Sequence, residues 1–199
     1  MLLPNYLPHM DSYPLLKTFF DTYGGLPEPE MKQLLDAFNT KHVPKGGTLL
    51  VPGQVCDMIF FVRSGCLRLY YTADDVDITV WFSFENNSAI ELSSFLSGEP
   101  TEYFLEAIED SEVLFLHKSE LDALYTQIPN LHRVIRLFWE DVILNLLQRM
   151  TALQMDSAET RYLRLLKQPN YMQRIPQKYL ASYIGVTPTS LSRIRRNLR

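Results

Sequence analysis

The chain has 199 residues, of which 46% are hydrophobic and 12% aromatic, enough to bury a core, so disorder is excluded as the expectation. No apolar run approaches a membrane span, and the opening MLLPNYLPHMDSYP has neither a basic n-region nor an unbroken h-region, so a soluble cytoplasmic protein is expected. The formal net charge of −4 hides a split: all 23 acidic residues and ten of the 19 basic ones precede Thr160, which leaves −13 on residues 1–159 and +9 on the rest. Such polarity suits one end to a polyanion while the body repels it.

Taken in order, residues 12–23 and 27–39 have helical apolar spacing (Leu15, Phe19 and Phe20, then Met31, Leu34, Leu35 and Phe38), interrupted by Gly24-Gly25. From Val43 the period changes to short β-rich runs at 48–51, 58–62, 66–71, 77–84, 103–107 and 112–116. Gly46-Gly47, Gly53, Gly65 and the acidic turn Asp74-Asp75 separate them, a spacing that predicts an antiparallel sandwich or barrel. Residues 90–96 and 119–125 read as short helices. The two cysteines, Cys56 and Cys66, are too few for a disulfide framework or a four-thiolate cluster. In strand-like surroundings they read as small buried thiols rather than redox switches.

Residues 129–154 carry no helix breaker after Pro129, and about 26 residues at 1.5 Å each make a rod of roughly 39 Å. It is apolar on more than one face. One face must dock on the β-rich unit, and Trp139, Ile143, Leu146, Met150 and Leu153 step 4-3-4-3, the a/d rhythm of a coiled coil. A helix buried on both sides within one chain is the alternative. Asp156-Ser157-Ala158-Glu159 then reads as a capping box for a helix over 157–167, which Gln168-Pro169-Asn170 ends.

The last stretch, QKYLASYIGVTPTSLSRIRRNLR, holds two helical patterns that meet at Gly185. Ala181 is small enough for close helix crossing, Thr187 is a good N-cap, and Pro188 suits the first helical position. Leu191, Ile194 and Leu198 line one face of the second helix, leaving Thr189, Ser190, Arg193 and Arg196 outside. This is the spacing of a DNA-binding helix-turn-helix, with an ordinary αα-hairpin as the alternative.

Order and motifs together resemble the Crp/Fnr family of bacterial transcription regulators over residues 27–199. Lys45, Gly47, Gly53, Phe61-Val62 and Gly65 match the family's barrel rhythm, and Ala181, Gly185, Leu191, Ser192 and Arg193 match its C-terminal motif. The resemblance implies an α+β chain: an antiparallel β-barrel or jelly-roll sensor domain of the cyclic-nucleotide-binding type (1–128), a dimerisation helix (129–155) and a helix-turn-helix domain (156–199). It also implies a homodimer on a palindromic double-stranded DNA operator, with RNA polymerase and a small-molecule effector as further partners and no membrane. On this reading Arg193 reads a guanine edge, with Thr189 and Ser190 on neighbouring bases, while Lys178, Thr187, Ser192 and Arg196 hold phosphates. Pro188 stands where some relatives carry a base-reading Arg.

The family's nucleotide cassette runs Gly-Glu-Leu, then Arg-Ser or Arg-Thr, then Ala. Here Ile90-Glu91-Leu92 stands at the first part and Thr101-Glu102 at the Arg-Ser position. A guanidinium that would neutralise a cyclic phosphate has become a hydroxyl beside a carboxylate, so the pocket is expected not to take cyclic AMP. A different neutral or cationic ligand at Thr101-Glu102 is the rival reading. No cofactor or metal is expected, because His9, His42, His117 and His132 form no cluster and no His-x-His pair exists. With no nucleophile triad, P-loop or nucleotide-fold glycine motif either, a non-enzymatic regulator is expected. A ligand-sensing or protein-interaction module that does not bind DNA sequence-specifically is the competing class.

Overall fold

The turn residues that punctuate the β-rich runs fold them into two facing four-stranded antiparallel sheets, in a computed structural model that describes residues 13–198. His9, the first residue of the helix expected over 12–23 and the last residue of the chain lie outside the described residues. Two helices come first, α1 (Tyr13–Thr22) and α2 (Glu28–Asp36), whose Leu16, Phe20, Met31 and Leu34 are almost fully buried. Helix α2 stops at Asp36, short of the expected 39, because the chain turns directly into β1 (Asn39–Val43). That strand pairs from Asn39↔Phe115 to Val43↔Ser111 with β8 (Ser111–His117). As an edge strand with Lys41 and His42 exposed and Thr40 half-buried, β1 lacks the apolar alternation by which strands are recognised.

The six expected strands form as β2 (Thr48–Leu50), β3 (Met58–Ser64), β4 (Leu67–Ala73), β5 (Val76–Ser83), β7 (Phe104–Ala107) and β8. A two-residue strand, β6 (Ser88–Ala89), and helix α3 (Leu92–Ser97) lie between β5 and β7. The sheets run β1-β8-β3-β6 and β2-β7-β4-β5. Asp74 and Asp75, with φ of 49° and 60°, supply the two left-handed residues that a two-residue hairpin between β4 and β5 requires. Gly65 is fixed by crowding as well as by its φ of +93°, since a Cβ there would sit 2.2 Å from Ser111 Oγ.

After α4 (Lys118–Gln127) comes the long helix α5 (Leu131–Met155), 25 residues. Its first half buries Leu131, Val134, Ile135 and Phe138 against the sandwich, where Phe138 packs edge-on to Phe19 and Tyr23 and tilted against Phe61. Trp139 packs inside its own chain too, 5.8 Å from Phe95 and 4.6 Å from Phe138 between ring centroids. The other four residues of the 4-3-4-3 stripe stay open, with Ile143, Leu146, Met150 and Leu153 at 48, 38, 51 and 41% exposure.

The helices α6 (Ala158–Leu166), α7 (Pro169–Arg174), α8 (Gln177–Tyr183) and α9 (Pro188–Asn197) complete the described chain. Ser157 alone caps α6, its Oγ accepting from Thr160 N. The other expected member of a capping box, Asp156, turns to Arg164 at 2.5 Å. Residues 168–170 follow the end of α6, as expected, and also start α7: Pro169 sits in its first turn, where a missing N–H costs nothing. Cys66, Phe82, Phe84 and Ile108 on the sandwich share a second core with Tyr162, Leu165, Ile175, Leu180, Tyr183 and Leu191 of the C-terminal helices. The two units therefore meet through apolar packing. Cys56 and Cys66 are both buried, and burial pushes both thiols above their ordinary pKa. Burial keeps them protonated, the inert state.

Candidate nucleic-acid interface and ligand cavity

Helix α8 ends in a Schellman turn: Val186 N–H donates to Ala181 O at 3.0 Å and Gly185 N–H to Ser182 O at 3.0 Å, with Gly185 at φ +72°. Thr187 Oγ1 then accepts from Ser190 N at 3.2 Å and opens α9, with Pro188 behind it. Ala181 and Leu191 are fully buried where the two helices cross. This local geometry leaves Lys178, Thr187, Thr189, Ser192, Arg193 and Arg196 exposed and Ser190 half-exposed.

These side chains are not equally available. Ser192 Oγ donates to Pro188 O and accepts from Gln177 Nε2 at 2.8 Å, while Thr187 Oγ1 donates to Ser190 Oγ at 3.1 Å. Arg195 donates to Gln177 Oε1 at 3.2 Å. The ammonium of Lys178 lies 4.7 Å from the ring centroid of Tyr179. Among the described residues, Arg193 and Arg196 make neither hydrogen bond nor ion pair.

Much of the C-terminal positive charge acts inside the fold. Arg161 donates to the carbonyls of Ile184, Ala152, Leu153 and Asp156, tying α6 to the end of α5 and to the turn after α8. From α5, Arg149 donates to Tyr183 O and Thr79 O and stacks 3.7 Å from the Tyr183 ring. Burial lowers its pKa. Ser182 Oγ donates to Asp77 O and accepts from Thr79 N, each at 2.8 Å. Arg68, fully buried, lies between the rings of Tyr70 and Tyr179 at 4.0 and 3.8 Å and donates to Thr79 Oγ1. These contacts fix the helix-turn-helix on the sandwich; sequence composition shows the charges without showing which are consumed.

Arg174 is the most heavily used of them. It bonds Glu85 through both terminal nitrogens at 2.7 Å, Gly65 O at 2.9 Å, and Glu109. Its hydrogen bonds are the main reason that Glu85 is held below the usual carboxylate range. A depressed folded-state pKa gives stability that is complete above the unfolded value near 4.5 and is lost as pH falls through the lower folded one. Arg174→Met is therefore expected to cost about 1–2 kcal/mol at neutral pH, the clamp being only partly shielded from water. It should also flatten the acid limb below the unfolded value. Thermal unfolding of both proteins from pH 6 to pH 3 checks this, and parallel acid limbs would contradict it.

A cavity of ≈ 470 Å³ opens between the sandwich and α5. Its apolar wall comes from both, with Leu69, Val80 and Trp81 on one side and Phe138, Val142 and Leu146 on the other. Ile90, Glu91 and Leu92 line it, as the cassette position suggests; Thr101 and Glu102 do not. Thr101 is buried elsewhere. Its backbone is bonded to Gly53 N and Gln54 O and its hydroxyl to Tyr103 N, while Glu102 is exposed. Glu91, 5% exposed, caps α3 by accepting from Ser93 N at 3.0 Å and Ser94 N at 2.9 Å.

Sequence reasoning missed Asp141 and Asn145, which face this cavity from α5. The sequence held no signal for them, because α5 also carries Arg133, Arg136, Glu140, Gln148 and Arg149, among which two more polar residues do not stand out. Asn145 Nδ2 donates to Asp141 O at 2.8 Å, and Asp141 accepts from Tyr23 OH at 3.1 Å. Burial first, and then the charge of Asp141, push Tyr23 up to about 12. No Lys, Arg or His lines the cavity among the described residues.

Residues 40–127 match the cyclic nucleotide-binding domain family. No curated protein sequence matches the chain significantly. Among solved structures, a chain described as a transcriptional regulator of the crp/fnr family from Eubacterium rectale superposes with a TM-score of 0.69 at 17% identity, over 91% of this chain and 87% of that one. The c-di-GMP responsive global regulator CLP of Xanthomonas campestris gives 0.68 at 15% identity over 86% and 91%. FixK2 from Bradyrhizobium japonicum gives 0.68 at 16% over 81% and 84%. Identities this low speak to the shared fold alone.

Proposed function

From a chain folded over most of its length as Crp/Fnr regulators are, with a cyclic nucleotide-binding-type roll at 40–127, we propose a homodimeric, sequence-specific DNA-binding transcription regulator of the cytoplasm. One observation carries it. Arg193 and Arg196 project from α9 with no partner among the described residues, beside exposed Thr189, on a helix whose opposite face is anchored by Leu191. A guanidinium so placed is fit to meet a base edge or a phosphate. The domains are taken as 1–128 for sensing, 129–155 for pairing and 156–199 for DNA.

The pairing surface is the open stripe of Ile143, Leu146, Met150 and Leu153. Four large apolar side chains at 38–51% exposure on one helix are an interaction face rather than scattered surface residues. Joined about a two-fold axis, two copies of α9 would enter successive major grooves about 34 Å apart, so the operator is an imperfect palindrome. The sensing unit is not catalytic on this reading, and its cavity does not take cyclic AMP.

Selection of bound fragments from random DNA, followed by gel shift over a range of salt, tests the proposal. A salt-sensitive, sequence-selective shift is expected; its absence would leave a ligand-sensing or protein-interaction module. Lys178→Ala should weaken all sequences alike and reduce the salt slope by about one. A change in the selected motif would move Lys178 from phosphate to base.

A further inference from the structure

We infer that the cavity between the sandwich and α5 binds an apolar, ring-bearing small molecule with no anionic group, held at its polar end by Asp141 and Asn145. The word effector for this ligand rests on the regulator reading; the chemistry does not.

Three features of the cavity decide the ligand class. Its walls carry five aromatic rings, Phe19, Tyr23, Trp81, Tyr103 and Phe138, a rigid lining that favours a ring over a flexible chain. Its only ionisable acids, Glu91 and Asp141, are opposed by no basic residue among the described lining. An anion entering there meets like charge with nothing to neutralise it.

The third feature is the filling of the amide donors. The free N–H groups of Ser93 and Ser94, which an oxyanion needs, are already held by the two oxygens of Glu91, itself 5% exposed. A phosphate would have to displace a buried carboxylate to reach them. Asp141 is different. It is exposed on α5, forms no ion pair among the described residues, and accepts one bond from Tyr23. A carboxylate has capacity for further donors, so an amine or hydroxyl on the ligand finds an acceptor at the end of an apolar slot. Leu146 lines the same cavity and belongs to the open stripe of α5, so the occupant touches the helix that the regulator reading pairs.

The test is displacement of Nile red from the full chain, followed by fluorescence, using three naphthalenes of one size. These are 1-naphthylmethylamine, 1-naphthylmethanol and 1-naphthylacetate, with cyclic AMP as a fourth competitor. Nile red is expected to saturate at one site per chain and to be displaced by the amine and the alcohol. The acetate and cyclic AMP should be at least about thirtyfold weaker, since each brings an anion to a lining with two carboxylates, one of them the buried Glu91, and no base among the described residues.

Asp141→Asn should weaken the amine about fivefold, the scale of a part-exposed ion pair, and leave the alcohol nearly unchanged. Val80→Trp should fill the slot and abolish saturable dye binding, with circular dichroism to check folding. If the acetate or cyclic AMP competes as well as the amine, the inference is overturned. It is also overturned if folded Val80→Trp binds dye as before, which would put the dye on the open α5 stripe. A chain that shows the expected selectivity yet neither dimerises nor shifts DNA keeps this inference and removes the regulator reading. A DNA-binding dimer that prefers the acetate does the reverse.

Discussion

Replacing Ile143 and Met150 together by Asp is expected to turn a dimer into monomers and to lower affinity for the selected operator at least about a hundredfold. Both side chains are about half exposed in the single chain, at 48 and 51%, so the change spares its fold; surface substitutions of this kind stay within about 0.5 kcal/mol. In a paired helix the same two positions face a partner. Each aspartate then brings a carboxylate into an apolar seam, and the two-fold axis doubles the insult. The loss on DNA follows from geometry, because a monomer reads one half-site and forfeits the gain of holding the second at high effective concentration. Light scattering and sedimentation at micromolar concentration, with gel shift alongside, check it. A wild type that is monomeric, or a double variant that stays paired, would show that α5 does not hold the dimer.

The fold was legible where local chemistry and burial agree. Gly185, Thr187 and Pro188 each demand one backbone conformation, and each adopts it. The six strands with apolar alternation were readable for the same reason. β1 was not, because an edge strand half in water keeps Thr40, Lys41 and His42 and loses the alternating signature. Nor was α7, since Pro169 both ends one helix and starts another, and only the anchoring of Arg174 on Glu85 and Glu109 favours the second role.

The site was legible in part, for a different reason. Ile90, Glu91 and Leu92 sit on the cavity wall because they are consecutive with α3 and travel with it. Thr101 does not reach the wall, because its backbone is bound to Gly53 and Gln54, and motif spacing carries no information on such long-range bonds. Asp141 and Asn145 come from a helix some forty residues onward, and only tertiary packing brings them to Glu91. Charge counting misleads in the same way. Of the C-terminal basic residues, Arg161, Arg164 and Arg174 are bonded within the chain, so the cationic surface is narrower than the sequence total.

That narrowing leaves Arg193 and Arg196 on α9, and replacement of Arg193 by Ala is the second large effect expected. If Arg193 makes a bidentate contact to a guanine, its loss removes preference at one base pair per half-site, worth about 1–3 kcal/mol each. A dimer loses it twice. Affinity for the full palindrome then falls by roughly the square of the half-site effect, while binding to unrelated DNA, set mostly by phosphate contacts, falls little. Arg196→Ala serves as the control: three residues on, it neighbours Arg193 on the helix surface but is assigned to a phosphate, so its loss should weaken all sequences alike and leave the motif intact. Thr189 and Ser190 cannot substitute, since Ser190 is held in the Thr187 cap and neither has a second donor for a guanine edge. Repeating the selection from random DNA with each variant reads both outcomes directly. A motif unchanged by Arg193→Ala, or one erased by Arg196→Ala, would place the reading face of α9 elsewhere on the helix.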